Sequence, residues 1–175
     1  MELNVRNVNH AFSEIFWLMK SLSLTPEKTR NGVALVLPEP VLTTYRYPCE
    51  RVLFNKTRDA NPIFHLMESI WMLAGRNDVA FLQQFNKRMV EFSDDGKTFN
   101  AAYGHRWRKH FKYDQIEEVI KMLQKEPNSR QAVIQMWDVD DVNKKTKDKP
   151  CNTQIVFDLR NTKLNMTVFN RSNLS

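Results

Sequence analysis

Cys151 lies in the segment Lys149-Pro150-Cys151-Asn152-Thr153, between a charged loop and a strand-like run, and Asn170-Arg171-Ser172 follows further down the chain. A cysteine attacks carbon as its thiolate, and nearby positive charge favours that form. A strand that carries Arg171 back beside Cys151 would supply the charge. The pair then suits covalent attack on an electrophilic carbon of an anionic substrate. Taken alone, a free thiol beside a strand is by default a buried, inert cysteine. Other groups could extend the chemistry. Glu68 sits one position after Met67 and three before Trp71, so it points partly inward, where a carboxylate could relay protons through water. Arg30, Arg130 and Arg171 come from three separate segments. Each alone reads as a surface arginine, but the planar guanidinium fork suits a phosphate dianion and three could form one clamp. His10, His65, His105 and His110 have no metal-ligand spacing with each other or with cysteine, so no metal is expected.

These residues need elements to hold them. Phe12, Ile15, Phe16, Met19 and Leu22 recur at helical spacing and predict an amphipathic helix over 9–22. Asn31-Gly32 reads as a turn before a short strand at 33–37, which Pro38 and Pro40 close. Asn61-Pro62 opens a helix that Gly75 ends. A second helix is predicted over 78–92 and a third over 114–125. Strand-like runs follow at 131–138, 153–160 and 163–171, the last two joined as a hairpin through Arg160-Asn161-Thr162. Helices first and strands later give an α+β domain. Its mixed sheet is expected to combine the runs after 130 with the 33–37 strand, and the helices at 62–75 and 78–92 to pack on it. Phe12, Phe16, Trp17 and Trp71 read as core, and Cys49 as a structural cysteine.

Bulk properties fit this picture. A chain of 175 residues, 42% hydrophobic and 11% aromatic, supports one folded domain. The net charge of +6 fits either a polyanionic partner or a basic pocket for a phosphorylated small molecule. Lys144-Lys145-Thr146-Lys147-Asp148-Lys149 reads as a solvated loop rather than a nucleic-acid contact, and no direct nucleic-acid binding is expected. The sequence shows no membrane span and no signal-peptide pattern. Two cysteines make no disulfide framework, so the expectation is a cytoplasmic protein with free thiols.

Six segments, in order, resemble the thymidylate synthase and pyrimidine hydroxymethylase family. They are Arg30-Asn31-Gly32, His65 to Gly75 around Glu68, Asn100 to Arg108 with Tyr103-Gly104 and Trp107-Arg108, Asn128-Ser129-Arg130-Gln131, Pro150-Cys151-Asn152 and Asn170-Arg171-Ser172. Where the family usually has a histidine after the cysteine, this chain has Asn152. Gln131 stands for the second arginine of a pair. Glu91-Phe92-Ser93-Asp94 stands near the family's Trp-Asp-x-Trp, whose tryptophans line the folate side.

The resemblance implies a thymidylate synthase-like α+β fold and transfer of a one-carbon unit from 5,10-methylenetetrahydrofolate to C5 of a pyrimidine deoxynucleotide monophosphate. The methyl product is the first expectation, a hydroxymethyl product the alternative, and a catalytically inactive family member the third reading. It implies Cys151 as nucleophile attacking C6, Glu68 and Tyr103 as catalytic partners, and Arg30, Arg130, Arg171 and Ser172 as phosphate ligands. It also implies a homodimer packed through the sheet, with Arg130 serving the neighbouring subunit. Family members run on beyond the length of this chain. The core-type run Leu164 to Phe169, so close to Ser175, is therefore expected to be covered by a partner or by further chain, and the chain as it stands to turn over slowly or not at all.

Overall fold

The computed structural model describes residues 1–29 and 32–172. It contains two compact units, Met1–Pro62 and Ile63–Ser175. In the first, strand β1 (Glu2–Val5) pairs in parallel with β4 (Leu42–Tyr45). Helix α1 (Val8–Ser21) begins where the Asn7 side chain accepts the amides of Asn9 and His10, which satisfies two of the free N–H groups of its first turn. Strands β2 (Pro26–Thr29) and β3 (Gly32–Leu35) form a separate antiparallel hairpin. The expected turn at Asn31-Gly32 falls partly outside the described residues. Phe16 and Trp17 are exposed rather than core, at 50% and 66%. The Lys20 ammonium lies 4.5 Å from the Phe16 ring centroid and 5.7 Å from that of Trp17, a cation–π arrangement that suits aromatic faces left in water. Cys49 is exposed, which removes its expected structural role.

The second unit carries the chemistry-bearing segments downstream of residue 62. Helix α2 (Pro62–Leu73) starts at proline and is closed by Gly75 at φ +64°, a left-handed conformation that glycine adopts without strain. The helix expected over 78–92 is two pieces: α3 (Val79–Gln83) and a 3-10 helix over Lys87–Phe92. Asn86 divides them. Its backbone is extended and its side chain accepts the Arg88 amide at 3.1 Å, so asparagine's competition with helical hydrogen bonding prevails over the apolar period. A short helix α4 (Tyr103–His105) continues as a π-turn over Arg106–His110, and α5 (Gln115–Lys125) is capped by Asp114.

The main sheet is antiparallel, in the order β5 (Val133–Gln135), β6 (Asn152–Arg160), β7 (Lys163–Asn170). The hairpin turn places Asn161 and Thr162 at φ +50° and +62°, the two-residue geometry that matches strand twist. Two sequence expectations about this sheet are corrected. The 33–37 strand is not part of it, because β3 pairs with β2. The sheet is packed by α5, through Val119 against Ala132, Ile134, Met136 and Ile155, while α2 and α3 bury Trp71, Val79 and Leu82 in a separate cluster with Phe99 and Ala102. A stripe at Ile116, Val119 and Leu123 gives α5 the face a sheet needs. The α+β class holds. All eight residues of β7 are exposed, with Leu164 at 57% and Met166 at 60%.

Candidate active site

The hairpin brings Cys151 and Arg171 together. Asn152 pairs with Asn170, and one step beyond the strands the Arg171 amide donates to the Cys151 carbonyl at 3.0 Å. The register shifts between Asn152 and Gln154, leaving Thr153 as the extra residue of a bulge. Bulges bend a strand and re-aim the side chains beside it. The Thr153 carbonyl accepts the amides of both Met136 and Trp137, at 2.9 and 3.1 Å, which ties the bulge to the end of β5.

Within this frame the Arg171 guanidinium is held on several sides. Nε donates to the Pro150 carbonyl at 2.8 Å and Nη2 to that of Lys149 at 3.3 Å. Nη2 also lies 4.0 Å from the Cys151 Sγ. The Trp137 ring lies beneath, its centroid 5.4 Å from Cζ. Nη1 has no partner among the described residues. A guanidinium with one edge committed to the protein still presents donors to an anion.

Tyr103 approaches from α4. Its hydroxyl oxygen accepts the amides of Cys151 at 3.0 Å and Asn152 at 3.2 Å, leaving the phenolic proton for donation elsewhere. Burial pushes the phenol above its ordinary range, and the two amides oppose that rise. Gly104 fixes where Tyr103 stands. A Cβ built there would fall 1.9 Å from the Met72 carbonyl oxygen, so only glycine lets α4 approach α2 this closely. Glu68 lies one turn before Met72 on α2 and is half-buried. Burial raises its carboxyl above the ordinary range, while the nearby His65 opposes the rise.

The structure thus joins Cys151, Tyr103 and Arg171 through direct contacts. Glu68 connects to them through the α2–α4 contact, with no hydrogen bond to Cys151 or Tyr103 among the described residues. Ser172 follows Arg171 and is half-buried. Arg130 is exposed beside the buried Ser129 and has no ion-pair partner among the described residues. Arg30 lies outside the described residues.

Sequence reasoning missed the supports of the site. Arg106 is 1% exposed and forms a forked ion pair with Asp141, at 2.6 and 2.9 Å, while donating to the Met136 and Asn100 carbonyls. Burial by itself would push the Asp141 carboxyl up. The hydrogen bonds from Arg106 and the Asp138 amide outweigh it and hold the carboxyl below its ordinary range. Asp138-Val139-Asp140-Asp141 directly after Trp137 was the available signal, since it builds a capping box that places Asp141. The lysine-rich loop is anchored as well. Lys144 bonds the Asn100 side chain, Thr146 bonds Asp94, the Lys147 amide donates to Asp94 at 3.0 Å, and Asp148 accepts the Ala101 amide at 2.8 Å. No group of three or more His, Cys, Asp or Glu among the described residues could hold a metal, and no helix among them is long and apolar enough to cross a membrane.

The thymidylate synthase family model matches residues 25–173, most of the chain. This chain belongs to the thymidylate synthase family. Among relatives of this thymidylate synthase-family chain, the deoxyuridylate hydroxymethyltransferase of Pseudomonas phage M6 is 48% identical over 98% of the chain and 49% of the relative. The deoxyuridylate hydroxymethyltransferase of Bacillus phage SP01 is 44% identical over 77% of the chain and 38% of the relative. The chain therefore spans about half the length of the curated relatives it matches, or less. The crystal structure of thymidylate synthase from T4 phage superposes with a TM-score of 0.54 at 25% identity, over 62% of this chain and 43% of that one. The family fold expected from the motif order is the fold observed.

Proposed function

We propose that this chain carries the nucleophile-bearing part of an enzyme that transfers a one-carbon unit from methylenetetrahydrofolate to C5 of a pyrimidine deoxynucleotide monophosphate. Of the two products open to the family, we favour hydroxymethyl on deoxyuridylate, because relatives at 48% and 44% identity carry that activity in their names. The observation that carries the reading is the Arg171 guanidinium 4.0 Å from the Cys151 Sγ, with the Tyr103 hydroxyl on the two amides at the cysteine.

In this reading the Cys151 thiolate adds to C6 of the pyrimidine, and the displaced electron pair passes through C5 to the C4 carbonyl oxygen. C5 becomes the nucleophile, which an unactivated pyrimidine is not. Glu68, whose carboxyl burial raises above its ordinary range, passes a proton through water to that carbonyl. Tyr103 donates its free phenolic proton on the pyrimidine side. Arg171 offers Nη1 to the phosphate, with Ser172, Arg30 and, from a neighbouring subunit, Arg130. The folate would supply the one-carbon unit to C5; the C5 proton is then lost, water furnishes the hydroxyl of the product, and departure of Cys151 from C6 restores the ring. Phe92, 52% exposed in the segment where the family carries its folate-side tryptophans, offers a flat apolar face suited to it. The homodimer belongs to the same proposal. It is supported by the exposed apolar residues of β7 and by Arg130, which has no ion-pair partner among the described residues.

The experiment is release of tritium from C5 of labelled deoxyuridylate in the presence of methylenetetrahydrofolate, with deoxycytidylate in parallel. Product mass distinguishes a hydroxymethyl from a methyl group. The expected result is slow tritium release that Cys151→Ser abolishes. Release that survives this substitution would overturn the reading.

A further inference from the structure

We propose that Trp137 is a positioning residue that holds the Arg171 guanidinium against the Cys151 thiol. Arg171 sits at an exposed strand end, where a long side chain otherwise samples many rotamers. Its two carbonyl contacts, from Nε to Pro150 and from Nη2 to Lys149, lie along one edge of the fork. In-plane contacts on one edge leave the group free to swing about that edge. The Trp137 ring beneath Cζ, at 5.4 Å, limits that swing and keeps Nη2 beside Sγ.

Trp137 is itself well fixed. Its amide donates to the Thr153 carbonyl at 3.1 Å, and its carbonyl accepts Gln135 Nε2 at 3.1 Å. The preceding carbonyl, of Met136, accepts Arg106 Nη1 at 2.7 Å, and the following residue, Asp138, opens the turn that carries Asp141. The buried Arg106–Asp141 pair thus anchors the backbone on both sides of the ring. The ring in turn sets the direction of the exposed arginine. An aromatic face suits this task because it attracts the cation without consuming an N–H, so Nη1 stays available for an anion.

The inference rests on the proposed roles of Cys151 and Arg171, and its test needs no nucleotide. The rate constants for alkylation by iodoacetate and by iodoacetamide are measured at Cys151 and at the exposed Cys49 by peptide mass spectrometry. The anionic-to-neutral ratio at Cys151, divided by that at Cys49, reports the positive charge at the Cys151 thiol. A change in access to the thiol moves both reagents together and cancels. Wild type is expected to show a ratio about three- to tenfold above unity at low salt. Trp137→Leu and Trp137→Gln are expected to lower it by about two- to fivefold, while Trp137→Phe, which keeps an aromatic face, stays within about twofold of wild type. Arg171→Leu should bring the ratio to unity, and adding Trp137→Leu to it should change nothing further.

A wild-type ratio retained in both non-aromatic variants overturns the proposal. So does a ratio that Arg171→Leu leaves unchanged, or a further fall in the double variant. Failure of the proposed function shows elsewhere, as absence of C5 exchange, so the two outcomes are distinguishable.

Discussion

Arg106 and Arg171 belong to the same unit and lie close to the same bulge, yet they do opposite work. Arg106 is 1% exposed and makes four hydrogen bonds, to Asp141 twice and to the Met136 and Asn100 carbonyls. Arg171 is exposed, commits one edge of its fork to the Pro150 and Lys149 carbonyls and keeps Nη1 free of partners among the described residues. A buried charge is tolerated only when fully paired, and once paired it has nothing left to offer a ligand. An exposed arginine held on one edge remains able to bind, because water is the only thing a ligand must displace. Satisfaction of donors, rather than charge, therefore separates the structural arginine from the one proposed to bind phosphate.

The largest break of this comparison is Arg106→Ala. It leaves Asp141 buried without its partner and is expected to destabilise the fold by about 3–5 kcal/mol, read by denaturant unfolding. Gly104→Ala belongs at the same end of the scale, since its Cβ would meet Met72 backbone at 1.9 Å. Arg171→Ala is the converse. Stability should change by no more than about 0.5 kcal/mol, whereas affinity for deoxyuridylate in titration calorimetry should fall about 10- to 100-fold. A large loss of stability in that variant would mean that Arg171 is a second structural arginine.

A smaller effect comes from pH. The Glu68 carboxyl is raised in the folded state, so the folded protein holds its proton to higher pH than the unfolded chain. The stability linked to Glu68 is full below about pH 4.5 and is lost as pH rises through the folded-state value. Asp141, held low, has the opposite sign: its contribution is present above about pH 3.8 and is lost as pH falls. Unfolding curves at several pH values should show Glu68→Gln losing less stability than wild type on going from acid to neutral pH. A parallel loss in the two proteins would remove burial as the feature that sets Glu68 apart. The smallest stability effect is expected for Arg130→Ala, within about 0.5 kcal/mol. Its consequence should be confined to nucleotide affinity in the proposed dimer, measured by calorimetry beside sedimentation. A stable monomer at high concentration would end the cross-subunit role of Arg130.

Much of the site was legible in the chain. Cys151 and Arg171 could be paired because two strand-like runs joined by a short turn must fold back as a hairpin. The hairpin does bring them together. Gly75 was readable as a helix end and Asn7 was not, although each answers unsatisfied groups at a helix end, a carbonyl for Gly75 and N–H groups for Asn7. Asn86 misled the period because a single side chain can end a helix whose apolar spacing continues past it. The 33–37 strand gave no sign of its partner, since pairing is chosen by chain approach and not by strand composition.

By itself, then, the sequence determined helices α1, α2 and α5, the hairpin and the family, all of which follow from short-range periodicity, turn chemistry and the order of motifs. Tertiary structure alone decided which arginine is buried, that Trp137 lies beneath Arg171 and that Gly104 locks α4 onto α2. Arg106, Arg108 and Arg171 are the same residue type in similarly polar surroundings along the chain. Arg106 acquires its role from Asp141, 35 residues away, and Arg171 from Lys149 and Pro150, more than 20 residues away. Whether a donor is satisfied or free depends on which distant segments arrive beside it, and local sequence does not encode that arrival.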